Sequence, residues 1–266
     1  VLRLKSVKSK IGLKEKLDFY YHYFDRTKIS PDPLEFPHRF SNPLDIEISA
    51  YISSVFAYGN VRQIINTLNR IHALMGKSPY QFVITYHTRL NINPFENIKH
   101  RFYSSQDIHK LFIGLNKVYK KHGSLKNLFL EEVEYDFVLS SLISNFSKKM
   151  IKLCNGNSPA ARGLIFMFPD PEKGSACKRM NLFLRWMVRK DELDFGLWNE
   201  IPASKLIIPV DVHVARVCTK LKLTSRKNVS WKMAEEITEK LRKFDPDDPV
   251  KYDFAICHIG MRKLIF

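Results

Sequence analysis

The amino-acid sequence predicts an all-α protein built as two helical halves. Three observations carry this reading. Apolar residues recur at helical spacing along most of the 266 residues. No run alternates apolar and polar residues between hairpin turns, as half-buried strands would. Helix-starting and helix-stopping residues stand at the ends of the periodic segments. With 45% of residues hydrophobic and 12% aromatic, there is material for one large core or two small ones.

The elements follow in order. Leu13, Leu17, Tyr20, Tyr21 and Phe24 form a first apolar stripe. Pro31, Pro33, Pro37 and Pro43 then predict an extended segment. Asn42-Pro43-Leu44-Asp45 reads as a helix start: a capping side chain, a proline in the first turn, then an acid. Ile48, Tyr51, Ile52, Val55 and Phe56 are its buried face, and Tyr58-Gly59-Asn60 ends it. A second helix buries Val61, Ile64, Ile65, Leu68, Ile71 and Met75. Ser104 to Asp107 has the spacing of a capping box, opening a helix that closes at Gly123. Residues 133–151 predict another helix around Phe137, Ile143, Phe146 and Met150.

Residues 159–174, with Pro169-Asp170-Pro171, read as the longest loop and as a hinge. The division expected is a basic N-terminal segment (1–42), an N-terminal helical part (43–160) and a C-terminal hairpin and catalytic helical part (161–266), together one globular unit of two intertwined subdomains. In the last part, Met180, Phe183, Leu184, Met187 and Val188 make a buried stripe, with Lys178, Asn181, Arg185 and Arg189 on another face. Further helices start near Asp211 and Ser230, and a last one runs through Phe254 toward Gly260.

Charge narrows the partner. Lys and Arg number 43 against 27 Asp and Glu, a formal net charge of +16, which favours polyanions and nucleic acid above all. No apolar stretch reaches the length of a membrane span. The Lys-rich start has no long apolar run behind it, which speaks against a secretory signal. Lys5, Lys8, Lys10, Lys14 and Lys16 either track phosphates or form a solvated arm. Cys154, Cys177, Cys218 and Cys257 are far apart, without a CxxC pair, so neither a zinc nor an iron–sulfur site is expected, and no cofactor. Reduced thiols in a cytoplasm are the expected state.

Two residues point to chemistry. Asp211 follows Pro209-Val210 and precedes an apolar-periodic run, as a helix cap would. If it also faces a cleft, its carboxylate can stabilise positive charge on a sugar ring and help move a proton. Lys178 opens the preceding predicted helix. Surface contact with phosphate is the plain reading of a lone lysine. A nucleophile would need its pKa brought from about 10.4 toward about 7–8, and the helix start and Arg179 both disfavour the ammonium.

The run Gly174-Ser175-Ala176-Cys177-Lys178-Arg179-Met180-Asn181, followed by Pro209-Val210-Asp211-Val212-His213-Val214-Ala215-Arg216-Val217, resembles the helix-hairpin-helix DNA glycosylase superfamily that includes endonuclease III. The likeness continues through Lys227-Asn228-Val229 and Cys257-His258-Ile259-Gly260 and covers roughly residues 170–260. The wide spacing of Lys178 and Asp211 is similar to the archaeal 8-oxoguanine glycosylase branch, and the chain as a whole resembles the DUF2400 branch. The resemblance implies two helical subdomains with a DNA-binding groove between them. It implies Lys178 as Schiff-base lysine, Asp211 as catalytic aspartate, and removal of an oxidised purine such as 8-oxoguanine with AP-lyase cleavage. Gly174, Ser175, Ala176, Arg179, Asn181, His213 and Arg216 become candidate DNA contacts. Tyr58, Asn60, Arg62 and Gln63, at a helix junction, become weaker candidates for the lesion or the opposite strand. The implied setting is a monomer on double-stranded DNA in the nucleoid of the cytoplasm.

The departures are specific. Ala176 stands where the family hairpin has its second glycine, and Lys173 replaces the usual proline. No four-cysteine loop follows Gly260, and no glutamine wedge is evident near Tyr58. A DNA-binding protein without the chemistry, and a glycosylase without lyase activity, therefore stand beside the leading reading. Trp186 and Trp198 could stack on an extruded base, with core filling the stronger reading.

Overall fold

Helical periodicity becomes helix almost everywhere it occurs. In a computed structural model, described for residues 12–86, 92–131, 133 and 136–261, the chain is all-helical, with isolated bridges and no β-strand among the described residues. Lys5, Lys8 and Lys10 lie outside the described residues, while Lys14 pairs with Asp18. No helix among the described residues is long and apolar enough to cross a membrane. The chain forms two compact units, one of residues 31–173 and one joining 1–30 to 174–266.

Helix α1 (Leu13–Tyr23) belongs to the second of these. The unit of residues 31–173 opens on two short 3-10 turns, Pro33–Glu35 and Pro37–Arg39, where an extended segment was expected. Proline suits their first positions, and the Asp32 carboxylate accepts from the Leu34 N–H at 2.9 Å. Helix α2 (Pro43–Phe56) starts as its sequence predicts, the Asn42 side chain accepting from the Leu44 and Asp45 N–H groups.

From Asp45 to Phe56 every residue of α2 is buried, so its polar residues need internal partners. Asp45 accepts from the Ser78 hydroxyl and the Tyr80 N–H, both 2.8 Å, at the start of α4 (Pro79–Ile84). Glu47 accepts from the Leu125 N–H at 2.8 Å, at the start of α6 (Leu125–Phe129), and from the Tyr119 hydroxyl of the helix before it. Each carboxylate thus meets a neighbouring helix at its positive end. Ser49 lies 2.8 Å from the ring of His72 on α3 (Val61–Met75), and burial pushes that imidazole down to about 4, leaving it neutral.

Helix α5 (Ser105–His122) carries the capping box of Ser104 and Asp107 and ends at Gly123 in the left-handed region. It packs along α7 (Leu139–Asn155). Gly114 makes that approach possible, because a Cβ there would collide with the Cys154 sulfur. Helix α7 begins at Leu139 rather than near 133, leaving Phe137 half-buried ahead of it. Residues 159–174 are not a plain loop: they hold α8 (Arg162–Met167) and a 3-10 turn, Pro171–Lys173.

The other unit holds α9 (Lys178–Val188), α10 (Val212–Lys220), α11 (Trp231–Arg242) and α12 (Asp253–Met261). Helices α1 and α10 both pack on α12. Residues 1–30 therefore belong to the same unit as residues 174–266. Arg185 and Arg189 are buried, not presented on a polar face. Arg185 pairs with Asp194 and Asp253, and Arg189 with Asp191, Asp194 and Asp248. Burial opposes both guanidinium charges, but the surrounding carboxylates outweigh it and hold them protonated. Trp186 and Trp198 are core residues, Trp198 meeting Phe183 edge to face at 5.1 Å.

Candidate active site

The α9 start is built by a tight backbone path. After the 171–173 turn, Gly174 takes φ +84, a conformation that favours glycine. Its carbonyl accepts from the Trp231 N–H at 3.2 Å, tying the turn to the start of α11. The Ser175 hydroxyl accepts from the Cys177 N–H at 3.2 Å. Cys177, buried, is itself left-handed at φ 46, an uncommon state for a residue with a Cβ, and it caps α9. Asn181 is buried and donates to the Ala176 carbonyl at 3.1 Å. These bonds fix where Lys178, the first residue of α9, begins.

Asp211 is placed from the other direction. Ile208 and Val210 are buried, and the Ile208 N–H donates to the Thr238 hydroxyl at 3.0 Å, so the chain enters α10 at a fixed angle. One Asp211 oxygen, Oδ1, accepts from the His213 and Val214 N–H groups at 2.9 Å each and caps the helix. The other, Oδ2, lies 2.8 Å from Lys178 Nζ. The cap and the lysine partner are therefore the same side chain. The two side chains are 26% and 27% exposed, open on one side.

Electrostatics follow from this geometry. Burial pushes the Asp211 carboxyl up, but the Lys178 charge and hydrogen bond and the Val214 N–H outweigh it and hold it below the usual carboxylate range. Lys178 and Asp211 are thus placed as a salt bridge. A carboxylate at 2.8 Å favours the charged amine, against the effect of the helix start.

A family profile, described as a protein of unknown function (DUF2400), matches residues 32–262, most of the chain. The chain belongs to the DUF2400 family. No curated protein and no solved structure matches it. The DUF2400 match includes Lys178 and Asp211 and runs through both units.

Around the pair in this DUF2400 protein, the other sequence-selected residues divide. Gly174 is exposed and Ser175 half-buried, while Ala176, Arg179 and Asn181 are buried, so they shape the turn from inside. His213 and Arg216 are exposed on α10. Tyr58, Asn60, Arg62 and Gln63 belong to the unit of residues 31–173. Asn60 there caps α3 by accepting from the Arg62 N–H at 2.9 Å, Arg62 and Gln63 are exposed, and the Tyr58 hydroxyl donates to the His100 carbonyl at 2.7 Å.

The sequence does not single out a basic cleft formed between α10 and residues 226–229. It is about 420 Å³, and Val212, Arg216, Thr219, Arg226, Lys227 and Val229 help line it. Arg226 is paired with Glu236 at 2.9 Å. The consecutive Arg226-Lys227 before the Ser230 cap was the available signal, but only folding sets it against α10. Among the described residues no group of three or more His, Cys, Asp or Glu is placed to hold a metal.

Proposed function

We propose that this chain is a DNA base-excision glycosylase with AP-lyase activity, of the helix-hairpin-helix glycosylase type with a groove for duplex DNA, removing an oxidised purine such as 8-oxoguanine. The observation that carries the reading is the partly exposed contact of Lys178 Nζ and Asp211 Oδ2 at 2.8 Å. Support comes from the turn that leads into Lys178, the basic cleft beside Asp211 and the formal net charge of +16.

In this reading the damaged nucleotide leaves the stack and its sugar reaches the pair. The Lys178 ammonium gives up a proton to water, and its nitrogen lone pair forms a bond to C1′. The C1′–base bond breaks, its electron pair leaves with the base, and the base takes up a proton. Asp211, held ionised, stabilises positive charge on the sugar throughout. After loss of a second amine proton to water, the nitrogen lone pair forms the C1′=N bond while the C1′–O4′ bond breaks and O4′ takes up a proton, leaving an imine on Lys178. Removal of a C2′ proton then expels the 3′ phosphate, and water releases the lysine. Asp211 acts by charge more than as an acid, because its proton is already gone at neutral pH.

The same reading places the protein with cytoplasmic DNA in the nucleoid, as a monomer. A second reading, duplex binding without chemistry, is favoured by one feature, Ala176 in place of the second hairpin glycine. A panel of duplexes carrying 8-oxoguanine, other oxidised bases and an abasic site separates them. Strand cleavage at a lesion supports the enzyme. Tight binding with every duplex left whole supports the second reading. Base release that leaves the strand intact assigns a glycosylase without lyase activity.

A further inference from the structure

No step of the Lys178 reaction uses the cleft between α10 and residues 226–229. Its volume, about 420 Å³, is that of a site for one small molecule. The lining is of two kinds. Val212, Ala215, Val229 and Met233 are apolar, and Arg216, Arg226 and Lys227 are cationic. No carboxylate among the described residues lines it.

The wall opposite α10 is preformed. Past that helix, Lys222 takes φ 58 and turns the chain back. The Thr224 hydroxyl accepts from the Arg226 N–H at 3.1 Å, and Glu236 on α11 accepts from the Ser225 N–H at 3.2 Å. Glu236 also pairs with Arg226 Nε at 2.9 Å, which fixes that side chain. Ser230 then caps α11, accepting from the Met233 N–H at 3.3 Å. Residues 224–230 are therefore held at both ends.

Each kind of lining comes from both walls. Ala215 and Met233 are buried, while Val212 on one side is 63% exposed and Val229 on the other 38%. Two water-facing valines leave apolar area that a flat ring would cover. Arg216 and Lys227, again one from each wall, are exposed and have no carboxylate partner among the described residues. Together they suit a compact group of more than one negative charge, such as a phosphate. Asn228 adds an amide that both donates and accepts. The Thr219 hydroxyl donates to the Ala215 carbonyl at 2.9 Å, and its oxygen can still accept. A heteroaromatic ring with a polar edge, joined to a phosphate, matches every one of these groups. An aliphatic ligand, or a bare anion, matches only one kind of lining.

We propose that this cleft is a binding site for a nucleoside monophosphate, its base between Val212 and Val229 and its phosphate on Arg216 and Lys227. Such a group exists free and as the 5′-phosphorylated end of a DNA strand. The site does not depend on the Lys178 reaction.

Isothermal titration of the full chain with dAMP, deoxyadenosine and inorganic phosphate tests it. dAMP should bind, and deoxyadenosine and phosphate should each bind at least about tenfold more weakly, because each lacks one of the two contacts. Lys227→Gln should weaken dAMP binding roughly tenfold, the size of a lost charged hydrogen bond. Val229→Asp should weaken it at least as much, by setting a carboxylate beside the ligand. Lys220→Gln, an exposed cation of α10 outside the cleft, should leave it unchanged. Displacement of dAMP by a short single strand only when that strand is 5′-phosphorylated supports the site and assigns it to strand ends. Displacement by neither strand supports the site and assigns it to the free nucleotide. A strand that displaces dAMP equally well with and without its 5′-phosphate is making ordinary backbone contact and would overturn the proposal. Inorganic phosphate binding as tightly as dAMP, or equal losses in Lys220→Gln and Lys227→Gln, would reduce the cleft to a patch of charge and overturn it too. So would binding of an acidic peptide with an apolar side chain where dAMP gives no heat. No dAMP binding at millimolar concentration defeats the site, whether or not Lys178 forms a covalent adduct with DNA.

Discussion

Lys178 Nζ and Asp211 Oδ2 meet at 2.8 Å, joining the first residue of α9 to the cap of α10. The two oxygens of Asp211 have separate partners, backbone N–H groups on one and an ammonium on the other. Capping and charge can therefore be separated by substitution.

Asp211→Asn keeps a capping oxygen, since asparagine caps as well as aspartate, and removes the charge. At neutral pH it should keep the cap and lose only the modest stabilisation of the Lys178 ion pair, while base release falls at least about a hundredfold, in the range of a lost electrostatic group. Asp211→Ala loses the cap too and should cost a further ~1 kcal/mol. Melting curves and single-turnover cleavage on the same three proteins check both parts. Full activity in Asp211→Asn would remove Asp211 from the chemistry.

The depressed Asp211 titration has a sign. Its folded carboxyl gives up its proton more readily than in an unfolded chain, where it titrates near ~3.9. The resulting stabilisation is present above that value and is lost as pH falls through the lower folded one. The stability advantage of wild type over Asp211→Asn should therefore be constant from neutral pH down to about 5 and shrink toward pH 3. Denaturant melts across that range test it, and an unchanging difference would mean the pair is not ionic.

Arg185 and Arg189 are charged groups inside the unit that carries the candidate site; α9 bears Arg185 together with Lys178, and Arg189 follows its last residue. Arg185→Met leaves Asp194 and Asp253 with one guanidinium fewer, and removing one partner of a buried ion pair costs about 3–5 kcal/mol. Urea unfolding should show a loss of that size. A loss under about 1 kcal/mol would mean that Arg189 and rearranged water can replace it.

Binding to duplex DNA should weaken with salt by about 0.9 log units per log unit of salt for each phosphate neutralised. Filter binding at several salt concentrations gives the slope, and Lys227→Gln in the basic cleft should reduce it by about one phosphate. A slope near zero would exclude a phosphate-tracking surface.

Much of this was legible in the sequence where a local rule suffices. Asn42, Ser104, Ser230 and Asp211 each read as helix caps and each caps a helix, because capping depends on the next few backbone N–H groups. The Lys178–Asp211 juxtaposition was legible through family resemblance, and spacing alone could not have supplied it. What stayed hidden depends on distant partners. Arg185 and Arg189 read as a polar face, since Asp248 and Asp253 become their neighbours only after folding. Helix α8 is six residues long, too short for periodicity to reveal.

The most direct measurement is borohydride reduction of the protein on a duplex bearing 8-oxoguanine or an abasic site, followed by peptide mapping of the cross-link. A covalent adduct on Lys178, absent in Lys178→Gln, is the predicted result. Cleavage with no trappable adduct, or an adduct on another residue in the presence of an intact Lys178, would contradict it.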